Sequence, residues 1–154
     1  MKPTMTDTFG PMLFRSITEL QKKLEEASRI SARFIQSSWT KGIRSQSLAN
    51  NSVKKWDPLS EGYKNSSRKK KGSSLTNILT EQYSGSINVE KNNMGYYEVG
   101  SNANHKGHYY PLTLEFGSKK YPQMERPSLR PVLILSRETV FENFKEAVKE
   151  SFQK

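Results

Sequence analysis

Residues 109–131 read YYPLTLEFGSKKYPQMERPSLRP, and the fold follows from how this stretch is parsed. It opens on apolar and aromatic residues that stop at Phe116-Gly117, crosses a short basic loop, and re-enters order at Arg126-Pro127-Ser128-Leu129-Arg130-Pro131. Gly117 tolerates positive φ and ends the first element, while Pro127 and Pro131 pre-set the backbone for a helix start. The stretch therefore predicts an apolar turn or short helix, a loop pivoting on Gly117, and a stiffened entry into the last helix. Glu115 and Arg126 stand at the two ends of that loop. If residues 118–125 fold back, the Arg fork takes the carboxylate and fixes the angle between the sheet and the last helix.

Downstream, residues 131–152 return to helical spacing, with Leu133, Val140, Phe144, Val148 and Phe152 as the apolar stripe between Lys and Glu. Upstream, residues 86–91 and 96–101 alternate as strands joined by Asn92-Asn93-Met94-Gly95, whose Asn and Gly suit a hairpin turn. Ile87 and Val89 share one face, and Tyr97 and Val99 share the matching face of the partner strand. Residues 75–80 offer a third strand.

At the other end, Gly10-Pro11 opens a helix over residues 11–36, after a tail at 1–10. Leu13, Ile17, Leu20, Leu24, Ala27, Ser31 and Phe34 recur at steps of four and three. This is an apolar stripe on a helix of about 25 residues, roughly 37 Å long. Lys22, Lys23, Glu25, Glu26 and Arg29 fill the other faces. The stripe is expected to be core, although so long a helix beside so small a sheet leaves room for a partner.

From residue 37 to 74 the period is lost, and a long basic loop is predicted. Residues 41–75 carry nine Lys and Arg against Asp57 and Glu61, a net of +7 within a chain of net +10. Lys54, Lys55, Lys64, Arg68, Lys69, Lys70 and Lys71 form its densest part. Such a concentration suits nucleic acid or an acidic protein surface, and equally a solvated loop. Arg68 to Ser74 is superficially like a phosphate loop, but Lys precedes Gly and no Gly-x-x-x-x-Gly-Lys follows, so nucleotide binding is rejected.

With 154 residues the chain has the length of one domain. Its apolar fraction of 33% is low enough that a polar loop or an oligomeric partner must account for part of it. The absence of cysteine excludes a disulfide framework and Cys-based zinc sites. No run approaches a membrane span and no signal-peptide core opens the chain, so a protein made in the cytosol is expected. His105 and His108 lie three apart in turn-rich sequence and would need Glu98 or Glu115 to complete a metal site; loop histidines are the simpler reading. Asp57 and Glu61 balance lysines rather than form an acid/base pair. The sequence reads as a non-enzyme without cofactor.

The ordered set Trp56-Asp57-Pro58-Leu59-Ser60 with Tyr63, Thr80-Glu81-Gln82-Tyr83-Ser84-Gly85-Ser86-Ile87, Glu115-Phe116-Gly117 and Arg126-Pro127-Ser128-Leu129-Arg130-Pro131 resembles the tail-completion (neck) proteins of tailed bacteriophages. These overlap the Mu-type virion-morphogenesis and tail-component families. Glu81 departs from a Gly, and Ser128 from an aromatic common in that family. The resemblance implies a virion protein, assembled with copies of itself as a ring, commonly a hexamer, around the DNA channel. It further implies contacts with the tail-tube or tail-terminator protein and the head connector. Trp56, Leu59, Tyr63, Glu115, Phe116, Gly117, Arg126, Pro127, Leu129 and Pro131 are its expected assembly and structural residues. A monomeric nucleic-acid-binding module using the basic loop, and a head-closure protein of the same neck, remain alternatives. The expected fold is α+β: a long N-terminal helix and a C-terminal helix on a small antiparallel sheet, with the basic loop between the first helix and the sheet.

Overall fold

The computed structural model describes residues 9–45, 82–104, 107, 109–117, 119 and 127–153. The fold is α+β as expected. Helix α1 (Phe9–Ser45) is followed by a single turn α2 (Gln82–Gly85), strands β1 (Ile87–Lys91) and β2 (Tyr97–Ser101), a short helix α3 (Tyr110–Phe116) and the closing helix α4 (Leu129–Ser151). The expected third strand at residues 75–80 lies outside the described residues. Among the described residues no helix is long and apolar enough to cross a membrane.

Helix α1 has 37 residues, about 55 Å at the α-helical rise. It does not end near residue 36 as its stripe suggested. The Ser37-Ser38 pair and Gly42 weaken helix propensity, yet Trp39 and Ile43 continue the four-residue step from Ile35 and bury completely enough to hold the last two turns. Residues 37–45 therefore belong to the helix and its core face, not to the basic loop.

The hairpin pairs Ile87 with Ser101, Val89 with Val99 and Lys91 with Tyr97, so those six side chains share one face. Its turn is held by Asn92, whose Oδ1 accepts the N–H groups of Met94 and Tyr96, both at 3.0 Å. Gly95 adopts φ 88°, the conformation expected of a turn glycine. Three contacts fix the hairpin on α1. The Tyr97 N–H donates to Ser28 Oγ (3.0 Å), Gln36 Nε2 donates to the Ile87 carbonyl (2.8 Å), and Lys91 pairs with Glu25.

Helix α4 runs antiparallel to α1: Trp39 meets Ser128, Ser31 meets Asn143, and Lys23 meets Glu150. The buried side chains along this seam are small, Ala27 and Ser31 on one helix and Ser136, Ala147 and Ser151 on the other. Small residues let two helix backbones approach closely. The expected core stripes hold in part: Ala27 and Ser31 are buried, and Leu20, Leu24, Val140 and Phe144 are half-buried. Leu13, Ile17 and Phe34 of α1, and Leu133, Val148 and Phe152 of α4, are exposed by 39–67%. Since Glu150 already meets Lys23, the first turns of α1, with Met12, Leu13, Phe14 and Ile17, extend past the end of α4.

The core proper is a cluster of Trp39, Ile43, Tyr83, Ile87, Ala103 and Val132, with Ile35, Val99, Leu114 and Leu129 packed against it. Every element contributes, and the cluster sits where α1 ends and α4 begins. That is also the place where the stretch from Tyr109 onward docks.

Candidate functional site: the Glu115 joint

Helix α3 exists because Pro111 occupies its first turn, where the missing N–H costs nothing, and it stops because Gly117 turns to φ 71°. Tyr109 just before it donates its hydroxyl to the Ser101 carbonyl at 2.6 Å, which ties the helix to the end of β2. This anchoring presents Glu115, in the last turn of α3, to the start of α4. The Glu115 side chain is buried, 7% exposed.

A helix start leaves backbone N–H groups without intrahelical acceptors, and α4 has no capping bond from its own N-cap, Ser128. Glu115 supplies that cap from another helix. Its Oε2 accepts the N–H groups of Ser128 (2.8 Å) and Leu129 (3.0 Å), and its Oε1 accepts that of Arg130 (2.9 Å). The Arg130 side chain closes the joint. Nε donates to Glu115 Oε1 (3.1 Å), and Nη2 donates to the Glu115 main-chain carbonyl (2.6 Å). The same guanidinium lies 5.2 Å from the centre of the Phe116 ring, a cation–π arrangement. One carboxylate thus meets the positive end of a helix dipole and a cation together.

Beneath the joint lies a buried polar node. Ser128 is wholly buried, and its Oγ accepts the Trp39 indole N–H (2.9 Å) and shares a hydrogen bond with the Tyr83 hydroxyl (2.8 Å). Trp39 and Tyr83 meet edge to face, their centroids 6.2 Å apart. Burial pushes the Tyr83 phenol up to about 12, with the nearby Glu115 and Tyr109 acting in the same direction and the Ser128 hydrogen bond against it. The two aromatic rings come from Trp39 and Tyr83, and the small hydroxyl between them satisfies both polar ends.

Of the residues expected at this site, the structure brings together Glu115, Phe116, Pro127, Leu129 and Pro131. Pro127 and Pro131 are buried, Leu129 packs against the core, and Phe116 is exposed. Gly117 has the predicted positive φ. Arg126 lies outside the described residues; among the described residues the guanidinium at Glu115 is that of Arg130. Trp56, Leu59, Tyr63, Lys54, Lys55, Lys64, Arg68, Lys69, Lys70 and Lys71 also lie outside the described residues, as do His105 and His108. The sequence placed Trp39 in the long loop as an anchor, and carried Tyr83, Ser128 and Arg130 only inside motifs, with no role at this joint. Trp39 was legible as the next step in a four-residue series. Arg130 was legible as the guanidinium nearest the N–H groups that a buried carboxylate would cap.

No protein-family model, curated protein or solved structure matches the chain.

Proposed function

We propose that this chain is a structural subunit of the neck of a tailed-bacteriophage virion. It completes the head-facing end of the tail as one member of a ring and mediates head–tail joining. What supports the reading is the Glu115 joint. Of the residues that carry the resemblance, Glu115 and Ser128 to Arg130 meet at one joint between two helices, with Glu115, Pro127, Ser128 and Pro131 buried and Phe116 and Arg130 on its exposed side. A rigid joint of this kind sets the angle of the closing helix, and a ring subunit needs its interface elements at a fixed angle. The partners of such a subunit are further copies of itself, the tail-tube or tail-terminator protein and the head connector. Its place is the virion, after synthesis in the host cytoplasm.

The test is electron microscopy and native mass spectrometry of the full chain, alone and with polymerising tail-tube protein. Closed rings, six copies in the commonest case, that cap one tube end and stop its growth are expected. A chain that never forms a ring and leaves tube length unchanged overturns the reading. The net charge of +10 favours one further reading, a nucleic-acid-binding module. Its mark is a monomer whose DNA affinity falls with salt at a log–log slope near 0.9 per neutralised phosphate.

A further inference from the structure

Helix α4 has a second apolar line, on the side away from α1. Ile134, Phe141 and Val148 follow one another at seven-residue steps, and Phe152 adds one more turn. They are exposed by 60, 65, 42 and 67%, while Ser136 and Asn143 on the opposite side of the same helix occupy the seam with α1. Leu133, also exposed, widens the line. A repeat of seven on a helix is the spacing that packs against another helix.

The border of this line identifies the occupant. Glu138, Glu142, Lys145 and Lys149 fall at i, i+4, i+7 and i+11, so they form a single charged row beside the apolar residues. Its first half is acidic and its second half basic. Such a row complements itself in one orientation only. When two copies of α4 lie antiparallel, Glu142 faces the other copy's Lys145 and Glu138 faces its Lys149. The same register staggers the apolar residues. Val148 of one copy falls between Ile134 and Phe141 of the other, and Phe141 falls between Phe141 and Val148, which is knobs-into-holes packing. A parallel pair has neither property, because each row then faces the opposite border of its partner. Glu142 and Lys145 pair within the helix at 3.0 Å but are 51% and 61% exposed, so they are free to exchange partners.

We infer that the outer face of α4 is a two-fold contact between copies of this chain, formed by antiparallel α4 helices along Ile134, Phe141, Val148 and Phe152. A single helix pair falls at the small end of specific interfaces, below about 1,200 Å² in total, the class of weak, transient contacts. A two-fold contact closes on itself and cannot build a ring. It goes beyond the neck reading: it pairs single subunits, or pairs whole rings face to face.

The test is sedimentation velocity on the full chain from about 1 to 200 µM, a range that spans micromolar association. Phe141→Glu, at an exposed helix position, is expected to halve the mass of the largest species with an unchanged circular-dichroism spectrum, from dimer to monomer or from paired rings to a single ring. The E138K/E142K and K145E/K149E variants are each expected to weaken self-association by tenfold or more, and an equimolar mixture of the two to restore it. The mixed pair sets an all-basic row against an all-acidic one. Four outcomes overturn the proposal. One is a chain that stays monomeric throughout, as it would were the face reserved for another protein. The second is a mass unmoved by Phe141→Glu. A third is a ring that Phe141→Glu breaks into monomers, which would make the contact cyclic. Failure of the charge-reversed mixture to associate is the fourth.

Discussion

Replacing Glu115 by Ala tests the joint directly. The carboxylate accepts three backbone N–H groups and the Arg130 side chain, and it is 7% exposed, so no solvent stands ready to replace it. Losing an N-cap costs about 0.5–2 kcal/mol in ordinary helices. The buried Ser128 N–H, left without an acceptor, adds about 1–3 kcal/mol. Arg130 contributes little to the loss, because its side chain is 45% exposed and rehydrates. These effects share groups and do not sum, so E115A is expected to destabilise by about 3–4 kcal/mol, a large part of the roughly 5–15 kcal/mol that holds a domain. Glu115→Gln keeps the shape and one acceptor oxygen but turns an amide N–H₂ toward the helix start; about 2 kcal/mol is expected. R130A should cost about 1 kcal/mol, and the double variant less than the sum of the two singles. Urea unfolding followed by circular dichroism measures all four, with a midpoint shift of about 1.5–2 M for E115A at an unchanged slope. A shift below about 0.5 M at that same slope would mean that the prolines and aromatics organise this region and the carboxylate does not.

The seam holds a buried hydroxyl, Ser136 Oγ, without a hydrogen-bond partner among the described residues. Ser136→Ala is therefore expected to stabilise by about 1 kcal/mol in thermal or urea unfolding, and a loss of stability would contradict that accounting. The Tyr83 phenol is raised from its ordinary 10 to about 12, so the folded state holds a proton that the unfolded chain releases. Its contribution is complete below pH 10 and is lost as pH rises toward 12, roughly 2–3 kcal/mol in all. The Tyr83→Phe variant should lose correspondingly less stability across that interval, and parallel pH curves for the two proteins would refute the assignment. Gly117 sits at φ 71°, where a Cβ is strained, so Gly117→Ala should cost about 1–2 kcal/mol by the same urea assay.

How far the sequence could be read depended on whether the deciding interactions were local. The hairpin was legible because its turn chemistry lies in four consecutive residues, and Asn92 and Gly95 perform the roles their types suggest. The Gly117 stop and the Pro-led entry to α4 were legible for the same reason. The end of α1 was not, because Trp39 and Ile43 extend the helix through contacts with Tyr83 and Val132, far away in sequence. The N–H groups of residues 128–130 and the Arg130 guanidinium as partners of Glu115 were not legible either, because that demand is created only once α4 exists; the expected partner Arg126 lies outside the described residues. The core stripes misled in part because periodicity shows that a face is apolar but not what covers it. On α4 the face turned to α1 is the one carrying Ser136, Asn143 and Ala147.

That inversion of small inside and large outside bears on the proposed assembly. Nine hydrophobic residues are buried among the described residues, four of them alanines, while seventeen large hydrophobic residues are exposed. An alanine offers little apolar area at about 25 cal/mol per Å², so the core among the described residues rests mainly on Trp39, Ile43, Tyr83, Ile87 and Val132. Scattered exposed leucines mean nothing, but Ile134, Phe141, Val148 and Phe152 are aligned, and Met12, Leu13, Phe14 and Ile17 crowd one helix end. Covering either set by a partner adds burial that the lone chain forgoes, and mass action then adds the binding free energy to stability. A small Ala/Ser seam also has a geometric advantage over a large apolar core here. It holds α1 and α4 at close range with few rotamers to choose among, while the Glu115 joint and the Trp39–Ser128–Tyr83 node fix one end. Among the described residues the buried contacts are thus small or polar around one compact cluster, and many large apolar side chains are turned outward, the arrangement that the proposed self-association requires.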